Sequence, residues 1–411
     1  MTHAISGRSP TWGSSGSPVR SPRSIRDGLR TGALIAGAAA AGTFGWTGVA
    51  LALPLALAFP ALWAAAPTRM VAIAVSVAYF LAASRGLPLG VMAFYGSGIA
   101  LGGALWIAAC FAFVAAHGLL WSPRPGWGRA GRFGLASFLM AVPPLGIVGW
   151  AHPLTAAGVL CPGWGWLGLG AAATAMLVLT TRLWSAAALV VAGAWLWSAT
   201  SWASPPAPDG WRGVDTTMGA MLGRAADLAQ HRELLAHVQR AAESGARVVV
   251  LPESALGVWT PTVSQIWMNG LRETRVTVIA GAAVVDRQGY DNVLIEIAAG
   301  QARVLYHERM PVPVSMWQPW QSWIGQGDSA RAHFFANPIV TSQGQRIAPL
   351  ICYEQLLVWP VLQSMLHAPD MIVATGNGWW TAGTSVVGIQ RASAEAWARL
   401  FGVPLVMAFN L

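Results

Sequence analysis

Two carboxylates and a thiol stand at the ends of apolar runs in this chain. The run Val248-Val249-Val250-Leu251 leads into Pro252-Glu253-Ser254, and Ile347 to Ile351 leads into Cys352-Tyr353-Glu354. Each run reads as a buried β-strand, and open α/β sheets place reactive groups at the carboxyl ends of their strands. A Glu and a Cys brought together in this way make a base and a nucleophile. The carboxylate takes the thiol proton, and the thiolate attacks a carbonyl or nitrile carbon. The alternative for the same two residues is a packed core Cys and a rim Glu, because free Cys is among the most often buried residue types. His307, beside Glu308 and Arg309, reads either as a solvated strand-end histidine or as one that tunes a site pKa.

The elements that must position these groups lie after a polar, Pro-rich stretch at Ser204 to Asp209, which reads as a linker. Thr217 to Ser244 has helical apolar spacing and stops at Gly245, a residue suited to the position after a helix. The pattern predicts strands at Arg247 to Leu251, Val276 to Val285, Val293 to Ala298, Arg303 to Tyr306, Ile347 to Cys352, Met371 to Ala374 and Pro404 to Phe409. It predicts helices over Gln355 to His367 and Val386 to Phe401. Adjacent strands mixed with β-α-β alternation indicate one α/β domain of roughly 200 residues, spanning 204–411.

The first half has a different composition. Asp27 is its one acid before Asp209, and Thr31 to Thr200 is a nearly continuous series of Ala, Leu, Val, Gly and Trp. That is too long and too apolar for one soluble core, so 31–203 is predicted to be a polytopic membrane domain of helices, each of about 20 apolar residues. The candidate segments are 32–66, 70–84, 88–120, 134–150, 156–180 and 184–200, giving about six to eight crossings. The excess positive charge sits here and in the tail, residues 1–30, while the segment after Asp209 is close to neutral. This placement argues for a topology signal and contact with membrane lipids, not for nucleic acid. Arg8, Arg20, Arg23, Arg26 and Arg30, with Arg124, Arg129 and Arg132, mark cytoplasmic segments by the positive-inside rule; the tail's Ser, Pro and Arg content predicts disorder. Cys110, Cys161 and Cys352 form no disulfide framework and no metal spacing, and no metal or cofactor is expected.

Several motifs together carry a family resemblance. Pro252-Glu253-Ser254-Ala255, Cys352-Tyr353-Glu354, Asn377-x-x-Trp380 and the helix holding Gln390, Arg391, Glu395 and Arg399 resemble the carbon-nitrogen hydrolase (nitrilase) superfamily. A multi-span domain ahead of such a module is similar to apolipoprotein N-acyltransferase. Arg309 to Trp320 and Leu350 to Pro360 resemble the TraB conjugal-transfer proteins of rhizobial-type plasmids, which share this two-part architecture. The resemblance implies an αββα sandwich with a Glu base, a Lys that stabilises the oxyanion and a Cys nucleophile. It maps the base to Glu253 and the nucleophile to Cys352, with Glu354 as support and Tyr353, Asn377, Trp379 and Trp380 around the substrate pocket.

The lysine cannot be mapped. Its expected place holds Glu308, a one-residue slip would substitute Arg309, and the chain contains no lysine anywhere. Arg309 is therefore the expected improvised oxyanion group, although its planar, permanently charged guanidinium is no equivalent of an ammonium. A second departure is Val314-Ser315-Met316, where the acyltransferase carries a required carboxylate. Leu411 falls where a terminal strand of the superfamily is finishing. The resulting expectation is a Cys-dependent amidase or N-acyltransferase of the bacterial inner membrane, with its hydrolase-like domain in the periplasm. It would act on an acyl or amide substrate beside proteins of the conjugation apparatus. The alternative is a catalytically inactive nitrilase fold serving as a scaffold or interaction module.

Overall fold

The computed structural model describes residues 22–221, 227–324 and 329–411. Of the basic tail read as disordered, residues 1–30, the first 21 lie outside them, and from Pro22 to Arg30 the chain is instead helical.

Among the described residues the apolar half has nine α-helices: α1 Pro22–Gly45, α2 Ala58–Ala65, α3 Arg69–Ala83, α4 Leu87–Tyr95, α5 Ile99–Leu120, α6 Trp127–Ala141, α7 Ala157–Leu160, α8 Gly165–Leu179 and α9 Trp184–Thr200. Pro and Gly divide what reads as continuous apolar sequence. A 3-10 turn around Pro54, Ala50–Leu57, separates α1 from α2. Gly96, at φ 58°, closes α4 before α5 begins. The cis Pro143-Pro144 bond follows the end of α6, and the 156–180 segment resolves into the single turn α7 and the helix α8.

Among the described residues, α5 is the one helix long and apolar enough by itself to cross a membrane. Helices α3 and α4 meet that criterion only as a pair, and they are bent by 52° at their junction. Ala50–Ala65, α8 and α9 are apolar but shorter. The aromatic side chains of Phe59, Trp63, Tyr79, Phe80, Phe113 and Phe133 fill the centre of this half, with Phe59 stacked on Tyr79 at 4.5 Å.

The second half is a two-sheet sandwich. One sheet has the order β1 Trp211–Gly213, β2 Val248–Val250, β3 Thr277–Asp286, β4 Gly289–Ala298, β5 Gln301–His307. The other has β6 Val340–Ser342, β7 Gln345–Ile351, β8 Met371–Asn377, β9 Leu405–Asn410. Strands β1, β2 and β3 run parallel, as do β7, β8 and β9, while β3, β4 and β5 form an antiparallel meander. Val250, Ile279, Leu294, Tyr306, Ile351, Val373 and Val406 pack between the sheets.

Helices α10 Leu228–Glu243 and α11 Pro261–Gly270 cover the outer face of the first sheet, and α12 Val358–Met365 and α13 Val386–Phe401 that of the second. The result is an αββα arrangement. Of the segment that reads as helix from Thr217, residues 222–226 lie outside the described residues, Gly219–Met221 form a 3-10 turn, and α10 runs from Leu228. There the Asp227 carboxylate accepts from Gln230 N at 2.9 Å, and the Gln230 side chain accepts from Asp227 N at 3.2 Å, a reciprocal cap that fixes the first turn.

Helix α13 joins the two halves. A Cβ on Gly158 would lie 1.6 Å from the Ala396 carbonyl oxygen, and one on Gly48 would lie 2.9 Å from Gly388, so backbone touches backbone at both places. This close packing sets the apolar helices directly over the carboxyl ends of the sandwich strands.

Candidate active site

Two tight backbone turns present the base and the thiol. After β2 the chain turns sharply at Ser254, which takes a left-handed φ of 62°. The Pro252 carbonyl accepts from Gly281 N at 3.1 Å, and Leu256 N donates to the Gly281 carbonyl at 2.9 Å. A Cβ on Gly281 would sit 2.5 Å from the Glu253 Cα, so only glycine lets β3 come this close to the base. Cys352 is the first residue past β7, with φ 46°, and opens a short 3-10 turn, Cys352–Leu356. A non-glycine residue in this region is costly and persists only where neighbours hold it.

Glu354 supplies that hold. Its Oε2 accepts from Ile351 N at 2.7 Å, and its Oε1 accepts from Arg309 N and from the Tyr306 hydroxyl, each at 2.7 Å. It is fully buried beneath the turn.

The Cys352 thiol lines the same cavity as the Glu253 carboxylate and accepts from Gln390 Nε2 at 3.5 Å. Glu253 Oε1 accepts from Asn292 Nδ2 at 2.8 Å, and Oε2 from Asn377 N at 3.0 Å. Burial pushes the Glu253 carboxyl up to about 7, against the lowering effect of the hydrogen bonds from Asn292 and Asn377 and of the neighbouring Cys352 thiol. Burial, followed by the charges of Glu253 and Glu308, lifts the Cys352 thiol well above its ordinary value. Asn377 is fixed in turn: its Oδ1 accepts from Asn410 Nδ2 at 2.8 Å, and Asn410 Oδ1 accepts from Thr216 Oγ1 at 3.0 Å and Met218 N at 2.9 Å.

These groups lie in the wall of a cavity of about 460 Å³. Tyr353, Asn377, Trp379 and Trp380 line it together with Glu253 and Cys352. The opposite wall comes from the apolar half, through Leu87, Val91, Phe94 and Leu105. Trp379 stacks on Phe94 at 6.2 Å, a Cβ on Gly90 would lie 2.5 Å from the Trp380 ring, and the Tyr353 hydroxyl donates to the Ile147 carbonyl at 2.8 Å. Both halves of the chain therefore build one site.

Arg309 is not brought to this cavity. Its Nε donates to the Tyr306 hydroxyl at 2.8 Å, Nη1 to the Pro360 carbonyl at 2.9 Å and to Gln363 Oε1 at 3.1 Å, and Nη2 to the Pro349 carbonyl at 3.2 Å. It also pairs with Glu354 at 3.5 Å, and both side chains are fully buried. Every guanidinium nitrogen is thus committed to ties among β5, β7 and α12, and the expected oxyanion group is instead a clamp behind the nucleophile turn. Glu354 likewise works from behind the turn and does not line the cavity.

Asn292, Gln390 and Asn410 are site residues that the sequence pattern did not single out for chemistry. The strand read from Val293 in fact begins at Gly289. Alternation along it turns Tyr290 and Asn292 to the cavity and Asp291 to the other face. There Asp291 is held by Arg331 at 2.8 Å through each carboxylate oxygen and by His333 at 2.8 Å, with His307 at 3.6 Å. These residues form the grouping among the described residues with metal-ligand spacing, but Arg331 already supplies its positive charge.

The family model for carbon-nitrogen hydrolase matches residues 129–399. The chain is 56% identical over 420 residues to conjugal transfer protein TraB of Agrobacterium fabrum, covering 100% of each chain. It is 57% identical over 385 residues to a probable conjugal transfer protein TraB of Sinorhizobium fredii, covering 94% of this chain and 99% of that one. Among solved structures, a mutant of an amidase of the nitrilase superfamily from Nesterenkonia aligns with a TM-score of 0.37 and 14% identity, over 50% of this chain and 78% of that chain. The motifs at Glu253 and Cys352, the two-sheet sandwich that carries them and these matches assign the chain to the carbon-nitrogen hydrolase family, in the branch of the TraB conjugal transfer proteins.

Proposed function

We propose that this chain is a membrane-anchored, Cys-dependent acyl-transferring enzyme of conjugal plasmid transfer, an amidase or N-acyltransferase acting on an apolar acyl substrate. One observation carries the reading: Cys352 and Glu253 line one cavity whose far wall is made by apolar helices. Glu253 accepts the thiol proton as Cys352 Sγ bonds to the carbonyl carbon. The tetrahedral adduct then collapses, the bond to the leaving amine or alkoxide breaks, and Glu253 returns the proton to that group. Water or an acceptor amine attacks the thioester with Glu253 again as base, which frees the thiol. Gln390 Nε2, 3.5 Å from the sulfur, is a donor beside the reacting thiol; Arg309 takes no part in these steps.

The membrane part of the reading is supported by α5 and by large apolar side chains that face outward on the helices. Leu167, Phe111 and Leu189 are each at least 74% exposed, which suits a lipid-facing surface. The arginine-rich segments on the cytoplasmic side, taken with the architectural resemblance to apolipoprotein N-acyltransferase, favour a periplasmic sandwich in this reading. Alkaline phosphatase fused after Leu411 should then be active, and an inactive fusion with an active cytoplasmic reporter would reverse the assignment.

The catalytic part is tested by mixing purified protein with para-nitrophenyl acyl esters of graded chain length and weighing the intact chain. An acyl increment on Cys352 that disappears in Cys352→Ala is expected. A second reading, an inactive interaction module, is favoured by the missing lysine and by a thiol whose ionisation burial and two carboxylates oppose. Absence of the increment together with normal plasmid transfer by stably expressed Cys352→Ala protein would establish that second reading.

A further inference from the structure

Glu308 occupies the place expected of the family's lysine, and its surroundings are unusual for a carboxylate. It is wholly shielded from solvent. Its Oε2 accepts from Asn292 Nδ2 at 2.8 Å, and the same amide donates to Glu253 Oε1 at 2.8 Å, so both amide hydrogens are spent on a pair of carboxyl groups. Donors are divided unequally between the two. Glu253 receives two, one on each oxygen, from Asn292 and the Asn377 backbone, whereas Glu308 receives one and its Oε1 has no partner.

No ion pair reaches either carboxyl group among the described residues. Arg309, on the adjoining segment, is taken up by Glu354 and Tyr306. His307 faces Asp291 on the other side of the sheet. Two like charges bridged by one amide, in a dry site without a cation, do not ionise together. The carboxyl with the fewest donors and an orphan oxygen is the one that keeps the proton.

We infer that Glu308 is a neutral carboxylic acid that, through the Asn292 amide it shares with Glu253, keeps Glu253 as the ionised member of the pair facing Cys352. It is a positioning residue, and the inference rests on reading Cys352 and Glu253 as nucleophile and base. The family's lysine would bring a positive charge to this place; Glu308 brings none, and its proton prevents a second negative charge beside the thiol. Burial, then the charges of Glu253 and Glu354, raise the Glu308 carboxyl well above the usual range, in agreement with the donor count. The groups facing it are Glu253 after β2, Asn292 on β4, Tyr306 and Arg309 on its own segment, and Cys352 and Glu354 after β7. When alkaline pH removes its proton, thiolate formation at Cys352 becomes harder.

Infrared difference spectra of the purified full chain at about pH 8, above the range in which Glu253 titrates, read the proton directly. The carbonyl stretch of a protonated carboxylic acid should be present in wild type, lost in Glu308→Gln and retained in Glu253→Gln. Glu308→Met, of similar length and uncharged, serves the same comparison if the Gln variant does not fold. In addition, the rate of Cys352 alkylation by iodoacetamide, mapped by mass spectrometry, should match wild type in Glu308→Gln at neutral pH. At alkaline pH it should exceed wild type by about tenfold, the effect of removing one adjacent like charge. A band lost in Glu253→Gln and kept in Glu308→Gln, or a rate ratio that stays flat with pH, would overturn the inference. Neither readout needs turnover, so failure of the acyl-transfer reading is seen separately.

Discussion

Replacing Arg309 by Met separates a clamp from a catalytic cation. The side chain is fully buried and its donors serve Tyr306, Pro349, Pro360 and Gln363, while Glu354 beside it relies on the guanidinium for charge balance. Removing one partner of a buried ion pair costs about 3–5 kcal/mol, chiefly because the other charge is left uncompensated. Spread over a sandwich of roughly 200 residues, that loss corresponds to a fall in melting temperature on the order of 10 °C. The assay is denaturant and thermal unfolding of the purified protein followed by tryptophan fluorescence. Arg309→Met combined with Glu354→Gln should recover most of the stability, since the stranded charge is then gone. An oxyanion donor behaves differently: its removal lowers the rate by about 10²- to 10³-fold while the fold stays stable. A variant within about 1 kcal/mol of wild type that has lost turnover would refute the clamp and return Arg309 to the cavity.

Three further outcomes follow from the same geometry. Gly281→Ala places a Cβ 2.5 Å from the Glu253 Cα and should cut thioester formation on Cys352 by about 100-fold or more, because a misplacement of about 1 Å at a reacting group costs that much; unchanged acylation would show the base turn to be forgiving. Val91→Trp fills the cavity from the α4 side, so KM should rise for long-chain acyl esters and not for acetyl esters, and equal effects on both would place the acyl chain elsewhere. Glu253, raised in the folded protein from 4.5 to about 7, contributes stability that is complete below pH 4.5 and is lost as pH rises through 7. The difference is on the order of 3 kcal/mol, and unfolding of Glu253→Gln measured from pH 4 to 8 should lack that decline. A wild-type profile flat over this range would contradict the burial argument.

The sandwich was legible where an element is long and largely buried, so that its apolar residues form a run or a clear period. Helix α13 occupies Val386–Phe401 as its apolar period predicts, and β3, β7 and β9 lie within a residue or two of their apolar runs. Strands β1 and β6 were not legible, because three residues at the margin of a sheet carry too little alternation to stand out. The start of α10 was hidden for another reason. Apolar spacing continues upstream of Asp227, and the decisive signal is the polar pair Asp227 and Gln230. In the first half, uniform hydrophobicity erases periodicity, so only the breakers divide it; giving Pro54, Gly96 and Pro143-Pro144 full weight would have separated the helices that the composition merged.

At the site, motif and strand end together located Glu253 and Cys352, but the oxyanion group depended on a register of one residue. A side chain at a strand end changes face with every step, so Glu308 and Arg309 are not interchangeable neighbours. Tyr306 and Glu308 turn inward, His307 turns to Asp291, and Arg309 runs back along the sandwich toward Pro349 and Pro360. Charge type alone favoured Arg309, the nearest cation to the vacant lysine position. Burial decides otherwise, because the guanidinium could reach the thiol only by leaving Glu354 unpaired in a dry interior, a cost of about 3–5 kcal/mol that nothing in the cavity offsets. On this reading the site balances its charge with a proton where a lysine was expected, and Asn292, whose amide divides its two hydrogens between Glu253 and Glu308, is the residue through which that balance is struck.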